Sequence, residues 1–261
     1  MLPYLLDFHA FGTHVKVPAY GVMLALAFTA AYIDGLRRAF KLGEDPKHIE
    51  NLFLITIVAS ILGSRGFHVV IEEPGYYWRN PGKIVAVWEG GYVFYGAMLS
   101  AIAAIFIYCR RKKVAYLQFA DIAAPATALG LFVGRLGCFL AGCCWGKACD
   151  LPWAARFTHP ETFNGARGLP VHPTQLYESF AALGIYLVLN RRFRNRERQG
   201  QIFFEGILVY SVVRFIIEFW RGDEMRGSAL FGWVSTSQLI SLLLFPAALF
   251  GLSWLRKQPS P

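Results

Sequence analysis

Residues 118–140 read QFADIAAPATALGLFVGRLGCFL. Asp121 and Arg135 are the only charged side chains in this run. About 20 mostly apolar residues suffice to cross a hydrocarbon core about 30 Å thick. The stretch therefore predicts a transmembrane helix. Six further apolar runs lie at 18–36, 49–71, 91–109, 174–190, 201–220 and 234–255. The expected fold class is an all-α integral membrane protein with about seven transmembrane helices. Composition agrees. The 261 residues are 55% hydrophobic and 16% charged, with a mean hydropathy of +0.40, whereas an ordinary soluble domain is about 25% charged. Abundant apolar surface excludes disorder. The 25 Gly and 13 Pro follow no triplet period, which excludes a collagen-like chain.

The formal net charge is +9, and its placement reads as topology. Arg37, Arg38, Lys41 and Lys47 follow the first run. Arg110, Arg111, Lys112 and Lys113 follow the third. Arg191, Arg192, Arg194, Arg196 and Arg198 follow the fifth, and Arg256 and Lys257 the last. Basic residues thus cluster in every second gap, and positively charged loops stay in the cytoplasm. The N-terminus is then on the outer side and the C-terminus in the cytoplasm. No extramembrane basic domain exists to bind nucleic acid. The first basic residue is Lys16, so a cleaved signal peptide is not expected. Residues 1–261 read as one membrane-embedded domain without internal repeats. Its non-cytoplasmic elaborations are an interfacial arm at 72–90, with Tyr76, Tyr77 and Trp78 at headgroup depth, and a small head at 141–173.

Ionisable groups inside the apolar runs carry the chemistry, since each is costly at bilayer depth and normally faces the bundle interior. They are Arg65 in IVASILGSRGFHVV, Arg135 in ATALGLFVGRLGCFL, and Arg214 with Glu218 in LVYSVVRFIIEFWRGDE, followed by Arg221. On a helix 214, 218 and 221 share one face. Two readings stand. Arginines from three spans converge on one anionic group, for which the planar guanidinium fork suits phosphate; or they form interhelical ion pairs, Arg214 with Glu218 first, with Arg221 snorkelling outward.

GRLGCFLAGCCWGK (134–147) ends its run among glycines, which points to a broken helix end beside a cavity or to small-residue packing. It holds Cys138, Cys143 and Cys144, with Cys149 just beyond and Cys109 elsewhere. A disulfide among the four is one option. The C-x4-CC-x4-C spacing is looser than known metal patterns, so buried free thiols and no metal site are expected. HPTQLYE (172–178) offers His172 and Tyr177 for proton transfer, or merely starts a helix. WEGGYVFYGAML (88–99) and PAYGVM (18–23) bring Tyr92, Tyr95 and Tyr20 either to a headgroup or to an aromatic belt.

Seven pieces in order, PAYGVM (18–23), GSRGFHVV (63–70), WEGGYVFYGA (88–97), ADIAAP (120–125), GRLGCFLAGCCWG (134–146), HPTQLYE (172–178) and YSVVRFIIEFWR (210–221), resemble the bacterial prolipoprotein diacylglyceryl transferases. The resemblance implies a seven-span inner-membrane enzyme. It would move a diacylglyceryl group from phosphatidylglycerol to the lipobox cysteine thiol of a prolipoprotein and release glycerol phosphate, with no cofactor. Arg135 and Arg214 match arginines regarded as important in the family, and Tyr20, Arg65, Asp121, Gly146, His172, Glu218 and Arg221 fall on its motif positions. The expected catalytic residues are Arg135, Arg214, Tyr95 and Glu218, and the expected substrate-binding residues are Tyr20, Arg65, Cys138, Gly146, His172 and Arg221. Two departures stand out. Tyr95 replaces a frequent His, leaving Tyr95 or His172 for proton removal. Cys138, Ala141 and Cys143 replace the usual Asn, Asn and Glu. From the residues alone, a transporter or flippase for an anionic lipid or solute would use the same arginines.

Overall fold

A computed structural model describes residues 3–10, 13–86, 90–159, 168–222, 228–229 and 234–258. Helices dominate: α1 (Ala19–Lys41), α2 (Pro46–Phe67), the short α3 (Pro74–Arg79), α4 (Phe94–Lys112), α5 (Tyr116–Ala141), α6 (Thr174–Phe193), α7 (Gln201–Ile217) and α8 (Thr236–Lys257). Five helical segments are long and apolar enough to cross a membrane: α1, α2 with its π-helical continuation to Glu72, α4, α5 and α8. Many of their large apolar side chains point outward, including Leu62, Phe94 and Phe250. Asp121, Gln175, Glu178 and Arg214 are buried. Apolar outside and polar inside is the distribution expected where lipid is the solvent. The chain is thus a multi-pass, mostly helical membrane protein.

Helices α6 and α7 fall outside that set of five. α7 has 17 residues and runs on as a 3-10 turn, Glu218–Trp220. The first turns of α6 bury a polar face of Thr174, Gln175, Glu178 and Ser179. A hairpin precedes α1, with β1 (Tyr4–Ala10) antiparallel to β2 (Thr13–Pro18). Strands this short carry no span-length apolar signal, so the hairpin has no counterpart among the apolar runs.

The chain divides into two compact units, residues 36–119 and residues 1–35 with 120–261, the divisions falling within α1 and α5. In unit 36–119, α2 and α4 cross where glycine meets glycine. A Cβ at Gly63 would lie 2.6 Å from the Gly96 carbonyl oxygen, and one at Gly96 would lie 2.6 Å from that of Gly63. The arm follows α2 through α3 and a 3-10 turn, Pro81–Val85. Arg65 bolts it down, donating to the carbonyls of Lys83 (2.6 Å), Ile84 (3.1 Å) and Gly90 (2.5 Å). Its guanidinium also sits 5.1 Å from the centre of the Tyr77 ring. Tyr77 is buried, so of the three arm aromatics only Tyr76 and Trp78 are available at a headgroup surface; Trp78 is 90% exposed.

In the other unit, Asp121 caps α7 from a distance, accepting from the backbone N–H groups of Gly200 (2.8 Å) and Phe203 (2.9 Å) and pairing with Arg196. Two otherwise orphaned donors of a helix start are thereby satisfied. Of the expected head, residues 160–167 lie outside the described residues. The remainder pairs β3 (Ala155–Arg156) with β4 (Pro170–Val171) over a small core of Phe157 and Val171 packed on Phe139 and Trp145.

Candidate active site

Four segments of one unit build the site: the end of α5 with the loop after it, the start of α6, the end of α7, and the start of α8. The centre is Glu178, the last residue of HPTQLYE, to which the sequence pattern attaches no role. Arg135 from α5 meets its Oε2 at 2.5 Å. Arg214 from α7 and Arg221 beyond it donate to Oε1 at 2.9 and 2.7 Å. Arg214 also pairs with Glu218 at 2.7 Å and donates to Ser237 Oγ at 3.0 Å. Ser235 in turn donates to Glu218 at 2.8 Å. The expected Arg214–Glu218 pair is present, but as one edge of a larger network.

Among the described residues, these three guanidinium groups gather on two carboxylates, Glu178 and Glu218. A guanidinium carries five N–H donors, more than these contacts occupy on Arg135. Arg135 is also the least enclosed of the three, 16% exposed against 8% for Arg214 and 3% for Arg221. It is the arginine a ligand can reach.

The common face expected for 214, 218 and 221 does not come from a continuous helix. α7 stops at Ile217, and Arg221 is extended at φ −73°, ψ 141°. Its backbone pairs across to Gly146, and that strand-like contact brings its guanidinium to Glu178. Gly146 donates to the His172 carbonyl (2.9 Å) and Lys147 to that of Trp220 (2.8 Å). A Cβ at Gly146 would sit 2.5 Å from the Trp220 carbonyl oxygen and 2.6 Å from His172 Cβ. Gly146 therefore serves by letting three backbones close together. His172 Nδ1 lies 3.2 Å from Tyr177 Oη, which accepts from Trp153 Nε1 at 2.9 Å. His172, Tyr177 and Trp153, with Ile216, Ile217 and Trp220, line an apolar groove of about 530 Å³.

The cysteine segment is folded by its backbone. α5 ends in a Schellman motif: Gly142, at φ 72°, donates to Phe139, and Cys143 donates to Cys138. This motif brings the third residue from the helix end against the second residue beyond it, here Cys138 against Cys143. Cys144 is left-handed at φ 63°, a costly conformation for a residue with a Cβ. The Cys143 carbonyl accepts from Gln175 Nε2 (2.6 Å) and the Cys144 carbonyl from Thr174 Oγ1 (2.9 Å). The result puts the Sγ atoms of Cys138, Cys143 and Cys144 within 4.8 Å of one another. Hydrogen bonds from the other two thiols, with Arg135 and Arg221 beside them, pull the Cys144 thiol well below its usual range. All five cysteines are free. Tyr20, near the start of α1, packs by Gly137 and lies within electrostatic reach of Arg135 and the three thiols.

A family model described as prolipoprotein diacylglyceryl transferase matches residues 8–254. The chain belongs to this family. Similar proteins named phosphatidylglycerol–prolipoprotein diacylglyceryl transferase include one from Clostridium tetani, 34% identical over 96% of this chain and 98% of that protein. Another, from Geobacter sulfurreducens, is 35% identical over 92% and 90% of the two chains. A third, from Bordetella avium, is 35% identical over 87% and 85%. Of the residues that the family resemblance singles out, the structure groups Tyr20, Arg135, Cys138, Gly146, His172, Arg214, Glu218 and Arg221 in one unit. Arg65 and Tyr95 belong to the other. Arg65 is occupied there by the arm's carbonyls, and Tyr95 opens α4 with its ring edge-on to Phe94.

Proposed function

We propose that this chain transfers the diacylglyceryl group of phosphatidylglycerol to the lipobox cysteine thiol of prolipoproteins, releasing glycerol phosphate. The observation that carries the proposal is the arginine cluster on Glu178. An apolar bundle has gathered three guanidinium groups, Arg135 the most reachable of them, where a lipid phosphodiester would replace lost hydration. Names of the relatives reported above point to the same pair of substrates. An anionic-lipid flippase using these arginines has no comparable support.

In the proposed reaction the phosphodiester sits against Arg135, and an acyl chain occupies the groove beside Ile217 and Trp220. The nucleophile is the substrate thiolate, since the neutral thiol reacts poorly. Its sulfur attacks the glyceryl carbon bonded to the phosphate oxygen. The carbon–oxygen bond breaks, and its electron pair leaves on the phosphate. Charge grows on that oxygen, so Arg135 and Arg214 contribute most in the transition state. Glu218 orients Arg214. Tyr20, Arg221 and Cys138 complete the binding surface, Gly146 and His172 hold its backbone, and His172 is the side chain assigned to proton removal.

The same proposal covers the placement. Residues 1–261 act as one transferase domain in the bacterial inner membrane, and α6 and α7 complete seven spans. A helix of 20 residues is about 30 Å long, enough for the hydrocarbon core. The basic gaps then lie in the cytoplasm with the C-terminus, and the N-terminus, arm and head lie in the periplasm.

The test is reconstitution. Purified protein is mixed with phosphatidylglycerol and a lipobox peptide, and the peptide mass is followed. A gain of one diacylglyceryl unit on the cysteine peptide, absent with a serine peptide, is expected. No gain from folded protein would retire the proposal.

A further inference from the structure

The strongest unassigned feature is the trio of thiols at the end of α5. By sequence spacing they make no metal pattern; in space they do. The Schellman turn brings Cys143 back against Cys138, and the left-handed Cys144 turns its side chain the same way. Hydrogen bonds from Thr174 and Gln175 then fix the dipeptide's carbonyls to α6. Three ligand atoms lie within 4.8 Å of one another on a framework held from two helices. Zinc bonds thiolate sulfur at about 2.3 Å, so sulfurs around one tetrahedral zinc stand about 3.8 Å apart. The trio needs to close by at most about 1 Å, within side-chain rotation.

We propose that Cys138, Cys143 and Cys144 bind one Zn²⁺, whose fourth position takes the thiol of the lipoprotein substrate as a thiolate. This rests on the transferase reading above and supplies the nucleophile that the reading requires. Catalytic zinc sites carry three protein ligands and keep the fourth position for water or substrate. A thiol that coordinates such an ion gives up its proton. Here that proton passes to His172, the side chain the transferase reading assigns to proton removal, and from it to water. Four thiolates around Zn²⁺ carry a net charge of −2, and Arg135 and Arg221 lie within electrostatic reach of Cys144, where they offset it. The bound sulfur then forms its bond to the glyceryl carbon. The carbon–oxygen bond breaks, its electron pair leaves with glycerol phosphate, and the neutral thioether, a weaker ligand, departs. No oxidant or reductant is needed.

The test uses the full-length protein in detergent under reductant. After equilibration with Zn²⁺ and desalting, one zinc per chain is expected. Cys138→Ser, Cys143→Ser and Cys144→Ser should each lower retention at least about tenfold, the upper range for weakening a metal site's support being 10–100-fold. Cys149→Ser should keep it. Protein loaded with Co²⁺ should show the visible bands of tetrahedral thiolate cobalt. A lipobox peptide should shift those bands, and its serine counterpart should not. Stripping the metal should abolish transfer from phosphatidylglycerol vesicles, and one equivalent of Zn²⁺ should restore it. Folded, reduced protein that retains no zinc, cobalt bands unmoved by the cysteine peptide, or full transfer by metal-free protein would each overturn the proposal and leave the transferase reading intact. Bands that respond to the cysteine peptide while no preparation transfers would support a thiol-binding metal centre and bring down the transferase reading instead.

Discussion

Glu178 is the residue on which the cluster depends. Removing its charge leaves three guanidinium groups close together in an apolar surround. Breaking a buried ion pair from one side costs about 3–5 kcal/mol. Glu178→Gln is therefore expected to lower the thermal midpoint sharply in detergent. Glu218→Gln should lower it less, because Glu218 holds one arginine and a serine. Arg135 behaves differently. It is the most exposed of the three, and the proposed reaction places its role mainly in the transition state. Arg135→Ala should cut transfer by about 10²–10³, the usual cost of losing a preorganised donor, with the thermal midpoint nearly unchanged. Arg135→Lys should not rescue it, since an ammonium cannot reproduce a bidentate fork. Tyr95→Phe with unchanged transfer would remove that hydroxyl from the reaction. The arginines and Glu218 were legible in the sequence because charge inside an apolar run is conspicuous. Glu178 carried the same signal but stood near the edge of its run, within a motif whose His and Tyr drew attention first. Arg65 was equally conspicuous, yet its partners are main-chain carbonyls, which no residue pattern reveals.

Among the elements, long helices were legible because seven apolar runs admit few other structures in a bilayer. Where a helix stops was not. The turn at Ile217 that sends Arg221 across to Gly146 depends on a backbone contact between segments some 75 residues apart, outside any local pattern. Cysteine spacing hid the thiol cluster for a related reason: a Schellman turn makes neighbours of residues five apart, a proximity that neither helix nor strand periodicity contains. Gly142→Ala should test this. Holding an L-residue in the left-handed region costs about 1–2 kcal/mol, so the turn should loosen and the reactivities of Cys138 and Cys143 toward a thiol reagent should diverge from wild type. The α2–α4 crossing offers a second test. Gly96→Leu forces a side chain against the Gly63 carbonyl oxygen, and overpacking of this kind costs about 1–3 kcal/mol. The expected result is a lower thermal midpoint with the Arg135 cluster's partners unchanged.

For the whole molecule, topology is the claim to check. Trp78 is 90% exposed on the arm. A Trp78→Cys variant in intact cells should react with a membrane-impermeant thiol reagent, while a reporter fused after the last helix should be active only in the cytoplasm. The reverse pattern would invert the orientation taken from the basic gaps.

The charge network on Glu178 also bears on how the protein is made. Arg135 emerges from the ribosome 43 residues before Glu178, and synthesis runs at about 5–20 residues per second. For several seconds α5 carries an arginine whose counter-ion does not yet exist, at an insertion cost of about 2.5–3.5 kcal/mol. Release of α5 into lipid is thus best delayed until α6 arrives, and α7, with Arg214, has the same reason to leave alongside them. A nascent chain stalled after residue 173 should remain crosslinked to the insertion machinery, and one stalled well past residue 221 should not.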